Sequence, residues 1–268
     1  VPFDNMPIDL TPFEHGTLCF GNTWSIADES ALALNIARVA LGQDRHIQKI
    51  LAGASLAAPP TTPRAGASAV KLLTVPAGQD PWHRDGWMFQ VLSWIAAYRA
   101  SPTSIIRAPQ MISAQKGFDG LELLVDTASG KIKGAVIFED KATDDPRTTI
   151  RDKVWPESAA LELGESENVL VSEVVGLLAT RPDIDSDAAI ERVLWDDVRR
   201  YRISITVGDT HASEQGRRRL FDGYDTVASG EAHRRRAETL HVLNLRAWMQ
   251  TLAEEAIAAI HDEVKKYV

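Results

Sequence analysis

Asp119, Glu139 and Lys141 are the residues of this chain whose types and spacing suit chemistry. Asp119 stands in Gly117-Phe118-Asp119-Gly120. Twenty positions later, Glu139-Asp140-Lys141 closes the apolar run Gly134-Ala135-Val136-Ile137-Phe138. Two carboxylates and an ammonium, brought together, make a centre for a hard divalent cation and a water nucleophile. Mg²⁺ takes oxygen ligands and keeps several waters, so two carboxylates and a substrate phosphate suffice. The cation lowers the pKa of a bound water and neutralises charge building on phosphorus. The lysine orients that water or stabilises the pentacovalent oxyanion.

Such a centre needs elements to assemble it. Leu121-Glu122-Leu123-Leu124-Val125 carries its apolar weight on odd positions, the period-2 pattern of a half-buried strand. Thr127-Ala128-Ser129-Gly130 reads as a turn, and residues 134–138 as a strand covered on both faces. Two strands around so short a loop form an antiparallel hairpin. A turn centred near Ser129 or Gly130 makes paired residue numbers sum to about 258–260. Asp119 then lies opposite Glu139 or Lys141, with Cβ atoms about 5 Å apart. Glu139 and Lys141 share a face because a strand's side chains alternate. Leu121, Leu123, Ala135 and Ile137 lie on that face too, so the trio would cap an apolar surface. A slip of one residue would bring Asp140 opposite Asp119 and destroy this arrangement. The rival reading is a solvated strand end with an exposed ion pair, worth little.

These residues resemble the PD-(D/E)XK nuclease superfamily, with its restriction-endonuclease-like core. Its signature is an Asp at the start of one strand and (Asp/Glu)-x-Lys on the next. Asp119 matches the first position, and Glu139 and Lys141 the others; Phe118 replaces the eponymous proline, as in subgroups that write Gly-x-Asp. The resemblance covers roughly residues 82–207. It implies an α/β fold, a mixed central sheet flanked by helices. It also implies that Asp119, Glu139 and the main-chain carbonyl of Asp140 hold Mg²⁺ or Mn²⁺, while Lys141 serves the attacking water. A helix before the hairpin sometimes adds a Glu or Gln to such sites; Gln90 is the candidate, against its reading as an ordinary polar position.

The whole chain sets bounds. Its 268 residues are enough for a sizeable core, as one large domain or two small ones. No window is apolar enough to span a membrane. The opening Val1-Pro2-Phe3-Asp4-Asn5 lacks the pattern of a secretory leader. The one cysteine, Cys19, fits a reducing compartment. The expectation is therefore a cytoplasmic protein with no membrane partner. Net charge is −8, yet residues 192–236 hold ten arginines against seven acids, in the clusters 199–202, 217–219 and 234–236. Exposed, they would serve a phosphate backbone; paired with nearby acids, they would not.

Along the chain, Ser25-Ile26-Ala27-Asp28 reads as a capping box opening a helix to Leu41, with Gly42 as its stop. A second helix covers residues 45–54, and a Pro-rich linker residues 57–63. The expected organisation is a helical N-terminal region (1–66), a nuclease core (67–210) and a C-terminal helical extension packed on it (211–268). Within the core, residues 69–75 read as a strand, 85–100 as a helix carrying Gln90, and 105–111 as a strand that Pro109 limits to an edge. Asp145 and Pro146 form an N-cap and N1 pair. Arg147, Arg151 and Lys153 would then emerge beside the site to meet a nucleic-acid backbone. Residues 200–207 read as a later core strand. Residues 232–268 read as one long helix whose stripe, Leu245, Trp248, Leu252, Ala256, Ile260 and Val264, serves the core or a homodimer.

Other chemistries lack their residues. The acidic run 183–187 lacks the glycine and the twelfth-position Glu of a calcium loop, and reads as a helix cap. No phosphate-cradling glycine motif, zinc-ligand set or nucleophile elbow occurs. The expected activity is a Mg²⁺-dependent phosphodiesterase on DNA, RNA being the alternative. By extension from the superfamily it belongs to a bacterial restriction or antiviral defence system with a helicase or ATPase partner. Two rivals remain: a catalytically silent nucleic-acid or protein-binding subunit on the same fold, and a hydrolase of a small phosphorylated substrate.

Overall fold

Seven strands form one mixed sheet in the order β1-β2-β7-β6-β5-β4-β3, with helices on both faces, an α/β fold. The computed structural model describes residues 6–111, 117–126, 128–179, 181–194 and 198–266. At its heart is the expected hairpin. Strand β4 (Gly120–Val125) pairs antiparallel with β5 (Ile132–Lys141), Gly120 opposite Phe138 and Leu121 opposite Ile137, so the paired numbers sum to 258. Gly120 is small for a physical reason: a Cβ there would lie 2.5 Å from the Phe138 ring. β3 shrinks to Ile105–Ile106 on the outer edge of β4, in keeping with Pro109.

β6 (Arg199–Val207) and β7 (Arg235–His241) continue the sheet parallel to β5. Parallel neighbours need crossovers. The first runs through α5 (Pro146–Thr149), α6 (Trp155–Glu162), α7 (Glu167–Leu178) and α8 (Ser186–Leu194). Asp145 caps α5, its carboxylate accepting from Thr148 N at 3.3 Å. Between α5 and α6 the helix widens into a π turn, Ile150–Val154, where Trp155 N–H reaches back five residues to the Ile150 carbonyl. Pro156 explains it: it has no N–H for the carbonyl of Asp152, and its ring would crowd that carbonyl in an α-helix. At α8, Asp185 accepts from Asp187 N and Ala188 N, so the acidic run is a cap. The second crossover carries α9 (Asp209–Ala212), α10 (Glu214–Leu220) and α11 (Tyr224–Val227).

The N-terminal segment is not helical throughout. β1 (Ile8–Glu14) and β2 (Phe20–Ile26) form a hairpin whose second strand pairs parallel with β7. Ser25 lies in β2, opposite Asp9; the N-cap of α1 (Glu29–Ala40) is Asp28, which accepts from Ala31 N at 2.9 Å. α2 follows at Asp44–Leu51. Residues 69–75 are not a strand, because Thr62 and Pro63 start α3 (Pro63–Leu73) and its buried Ala69 and Leu73 keep helical spacing. The C-terminal segment is likewise mixed. β7 precedes α12 (Leu245–Lys265), whose apolar stripe packs against α1 and α3.

The sheet divides the core. Odd-numbered residues of the hairpin, Leu121, Leu123, Ala135 and Ile137, pack with Ile150, Val154 and Val174 on the crossover side. Even-numbered Val136 and Phe138 pack with α4 (Trp82–Ala100), α1 and α12 on the other. No helix among the described residues is long and apolar enough to cross a membrane.

Candidate active site

The register of the hairpin carries Asp119, one residue before β4, level with Glu139. Two anchors fix the approach to Asp119. Phe118 is buried, and its carbonyl accepts from Arg107, which also pairs with Glu173 at 2.5 Å. The Asp119 carboxylate is then held at both oxygens: Oδ1 accepts from Gln90 Nε2 at 2.7 Å, Oδ2 from the backbone N–H of Asp140 at 2.8 Å. Lys141 Nζ stands 3.7 Å from Asp119 Oδ2 and in direct contact with Glu139. The structure thus brings Asp119, Glu139, Lys141 and Gln90 together at one end of the sheet.

The electrostatics are strained. Burial, reinforced by the Asp119 carboxylate, pushes Glu139 well above the usual carboxylate range against the pull of Lys141. Burial alone would lower Lys141, but Glu139 and Asp119 outweigh it and keep the ammonium charged. The Asp140 side chain points to the opposite face, into a buried polar chain. Its Oδ1 accepts from Ser93 Oγ at 2.6 Å, and Arg202 donates to the same Ser93 oxygen at 2.8 Å. Arg202 is wholly buried between the rings of Trp24 and Phe138, with its Nε 3.8 Å from Glu238. Burial raises Asp140 to about 7; Arg202 opposes this and Asp119 adds to it.

A hard cation fits this donor set. Two carboxylates flank one ammonium, and burial, with the Asp119 charge beside it, pushes Glu139 toward its protonated form. Among the described residues no group of three or more His, Cys, Asp or Glu stands ready to hold a metal. A cation here would rest on Asp119, Glu139, the Asp140 carbonyl and oxygens from water or substrate.

Beside the trio opens a cavity of about 560 Å³, which Asp119 and Lys141 line and Glu139 does not. Of the three expected backbone contacts only Lys153 faces it. Arg147 donates to the carbonyls of Leu220 and Asp222, a staple between α5 and the end of α10. Arg151 is exposed and closed on Asp152. The arginine clusters are mostly interior ties. Arg234 holds Glu162, Arg235 holds the carbonyls of Thr17, Leu18, Ala228 and Gly230, and Arg236 pairs with Glu238 and Glu122. Among the adjacent arginines only Arg218 and Arg219 are exposed.

One residue of the site left no sequence signal. Arg246, in the first turn of α12, reaches Asp85 on α4 at 2.6 Å and Asp144 after β5 at 3.2 Å, and so closes the cavity wall. Its partners are more than 100 positions away in sequence, so no spacing rule could have joined them. No protein-family model matches the chain, and no curated protein sequence matches it significantly.

Proposed function

We propose that this protein is a metal-dependent nuclease of the PD-(D/E)XK kind that hydrolyses phosphodiester bonds of DNA. The observation that carries the reading is the meeting of Asp119, Glu139 and Lys141 at the open end of the β4–β5 hairpin, with Gln90 locking Asp119 beside a cavity. A bound Mg²⁺ or Mn²⁺ supplies charge neutralisation at phosphorus and a water of lowered pKa. Asp119 and Glu139 would hold the cation, and the Asp140 carbonyl would add an oxygen. Gln90 and the Asp140 N–H keep Asp119 in one orientation, so the site is set before substrate arrives. The Lys141 ammonium would orient the attacking water or stabilise the phosphoryl oxygen. Water would add to phosphorus and give up a proton to solvent, the P–O bond to a sugar oxygen would break, and that oxygen would take up a proton from solvent. Lys153 on the cavity wall is the remaining backbone contact.

Restriction or antiviral defence beside a helicase or ATPase is the setting we infer from the superfamily resemblance. The closed Lys141–Glu139 pair favours one rival, a silent binding subunit in which the trio is a structural clasp.

The test incubates the protein with supercoiled, linear and single-stranded DNA, and with RNA, in Mg²⁺, Mn²⁺ or EDTA, beside Lys141→Ala and Glu139→Ala. Cation-dependent cleavage lost in both variants is expected. Cleavage that survives both would remove the site assignment, and binding without cleavage would favour the silent subunit.

A further inference from the structure

Trp82 opens α4 and is 66 % exposed on the cavity wall. Trp87, one turn on, is buried and donates its indole N–H to the Gln110 carbonyl at 2.7 Å. An exposed aromatic is ordinary by itself; its neighbours make this one informative. Trp82, Gly86 and Gln90 are spaced by four residues, so they lie along one face of α4, and all three line the cavity. That face carries an indole, then a gap, then the amide that anchors Asp119, about 12 Å end to end at the rise of an α-helix. The gap is real space, because a Cβ built on Gly86 meets nothing within 4 Å.

Two cations besides Lys141 line the cavity, among the carboxylates of Asp119, Asp144 and Asp145. Lys153 faces the cavity and is exposed. Arg246 uses Nη1 for Asp85, Nε for Asp144 and Nη2 for the Ala142 carbonyl, which leaves one N–H on each terminal nitrogen. An exposed aromatic face and two cations, lining one cavity with Asp119 and Lys141, match one nucleotide: a base and its phosphate. A cavity of about 560 Å³ suits a small ligand and not a double helix. In a duplex both faces of a base are covered by its neighbours. An indole finds a free π-face only on an unpaired, terminal or extruded base.

We propose that this cavity seats one unpaired nucleotide, its base stacked on Trp82 and its phosphate held by Lys153 and Arg246, making single-stranded or frayed DNA the substrate class. The proposal rests on the nuclease reading, so its test keeps binding apart from cleavage. Binding is read, with the full chain carrying Lys141→Ala in Mg²⁺, by anisotropy of a labelled oligothymidylate and by competition from a relaxed, covalently closed circular duplex, which has neither ends nor loops. Adding Trp82→Ala should weaken oligothymidylate binding about five- to a hundredfold, leave duplex binding unchanged, and be largely rescued by Trp82→Phe. Gly86→Leu fills the gap with a better helix former and should block the single strand equally, with thermal melts confirming that it folds. Unchanged affinity in both variants, or equal losses on both DNAs, would overturn the subsite. Cleavage by the chain with Lys141 in place separates the two ideas. Lys141-dependent cutting that Trp82→Ala slows equally on both DNAs keeps the nuclease and overturns the subsite. Trp82-dependent binding with no cutting keeps the subsite and removes the nuclease.

Discussion

Lys141→Ala takes away the ammonium that stands between two carboxylates, and the structure sets how the fold should answer. Nζ lies 3.7 Å from Asp119 and in contact with Glu139, and the three side chains are 20–25 % exposed. Deleting one partner of a buried ion pair costs about 3–5 kcal/mol; partial solvent access lowers that to about 1–3 kcal/mol. For a chain of this length 1 kcal/mol moves Tm by about 2–4 °C. In EDTA the variant should therefore melt about 2–12 °C below the parent. Mg²⁺ should then return what the lysine supplied. A ligand at a hundred times its Kd stabilises by about 2.7 kcal/mol, and in the variant it no longer competes with the ammonium for Glu139. The Mg²⁺-induced rise in Tm should be larger in Lys141→Ala than in the parent. Circular-dichroism melts in EDTA and in graded Mg²⁺ read both quantities. A variant that melts lower yet gains no more from Mg²⁺ would refute the cation site between the carboxylates. So would a Mg²⁺ shift that survives Asp119→Asn with Glu139→Gln.

Asp140 titrates near 3.8 unfolded and at about 7 folded. Between those values the native state holds a proton that the unfolded chain has shed. Its contribution therefore falls as pH rises through the window, by up to about 1.4 kcal/mol per pH unit, and is flat above it. Asp140→Asn should remove that slope from urea midpoints measured between pH 4 and 8; a full slope in the variant would place the titration elsewhere. Arg202→Met should lose about 3 kcal/mol or more in urea unfolding, because it strips a buried cation from Trp24, Phe138 and Glu238. A loss under about 1 kcal/mol would mean that shape alone matters there. Gly21→Ala would put a Cβ 1.6 Å from the Ala237 carbonyl oxygen and should leave little soluble protein. Gly86→Ala, mid-helix and unobstructed, should instead gain about 0.5–1 kcal/mol. Equal melting of these two variants would refute the close approach of β2 to β7.

The hairpin could be read from the chain because its determinants are local. Period-2 apolarity, a small-residue turn and symmetry about it fixed which residues meet, and Asp119 and Glu139 followed. Gln90 was reachable for the same reason, through a strongly apolar helix just upstream. β1 and β2 were not, since Ile8–Glu14 includes Pro12 and is largely exposed, so it shows no clean alternation. β7 was hidden by charge. Arg235 and Glu238 are buried there, but the Thr17 and Leu18 carbonyls and the Trp24 indole that bond to them lie 214–218 positions away. For that reason composition left the arginine clusters open between a phosphate surface and pairing with nearby acids, and the structure makes most of them interior ties. Residues 69–75 misled differently: their apolar run suits a strand, and the Thr62–Pro63 start decided for a helix. Arg246 and Trp82 join the site only through the folded packing.

The pairing of β2 with β7 also sets a schedule for the newborn chain. Phe20–Ile26 is synthesised early, but its parallel neighbour is Arg235–His241, and Trp24 gives its indole proton to Glu238 at 2.7 Å. At about 5–20 residues per second, a ribosome takes roughly 10–40 s to make the stretch between them. Throughout that interval β2 has one open edge, and the Trp24 indole lacks the acceptor that it has in the finished sheet. The β1–β2 hairpin thus waits for a partner made much later, and its open edge closes only when β7 arrives.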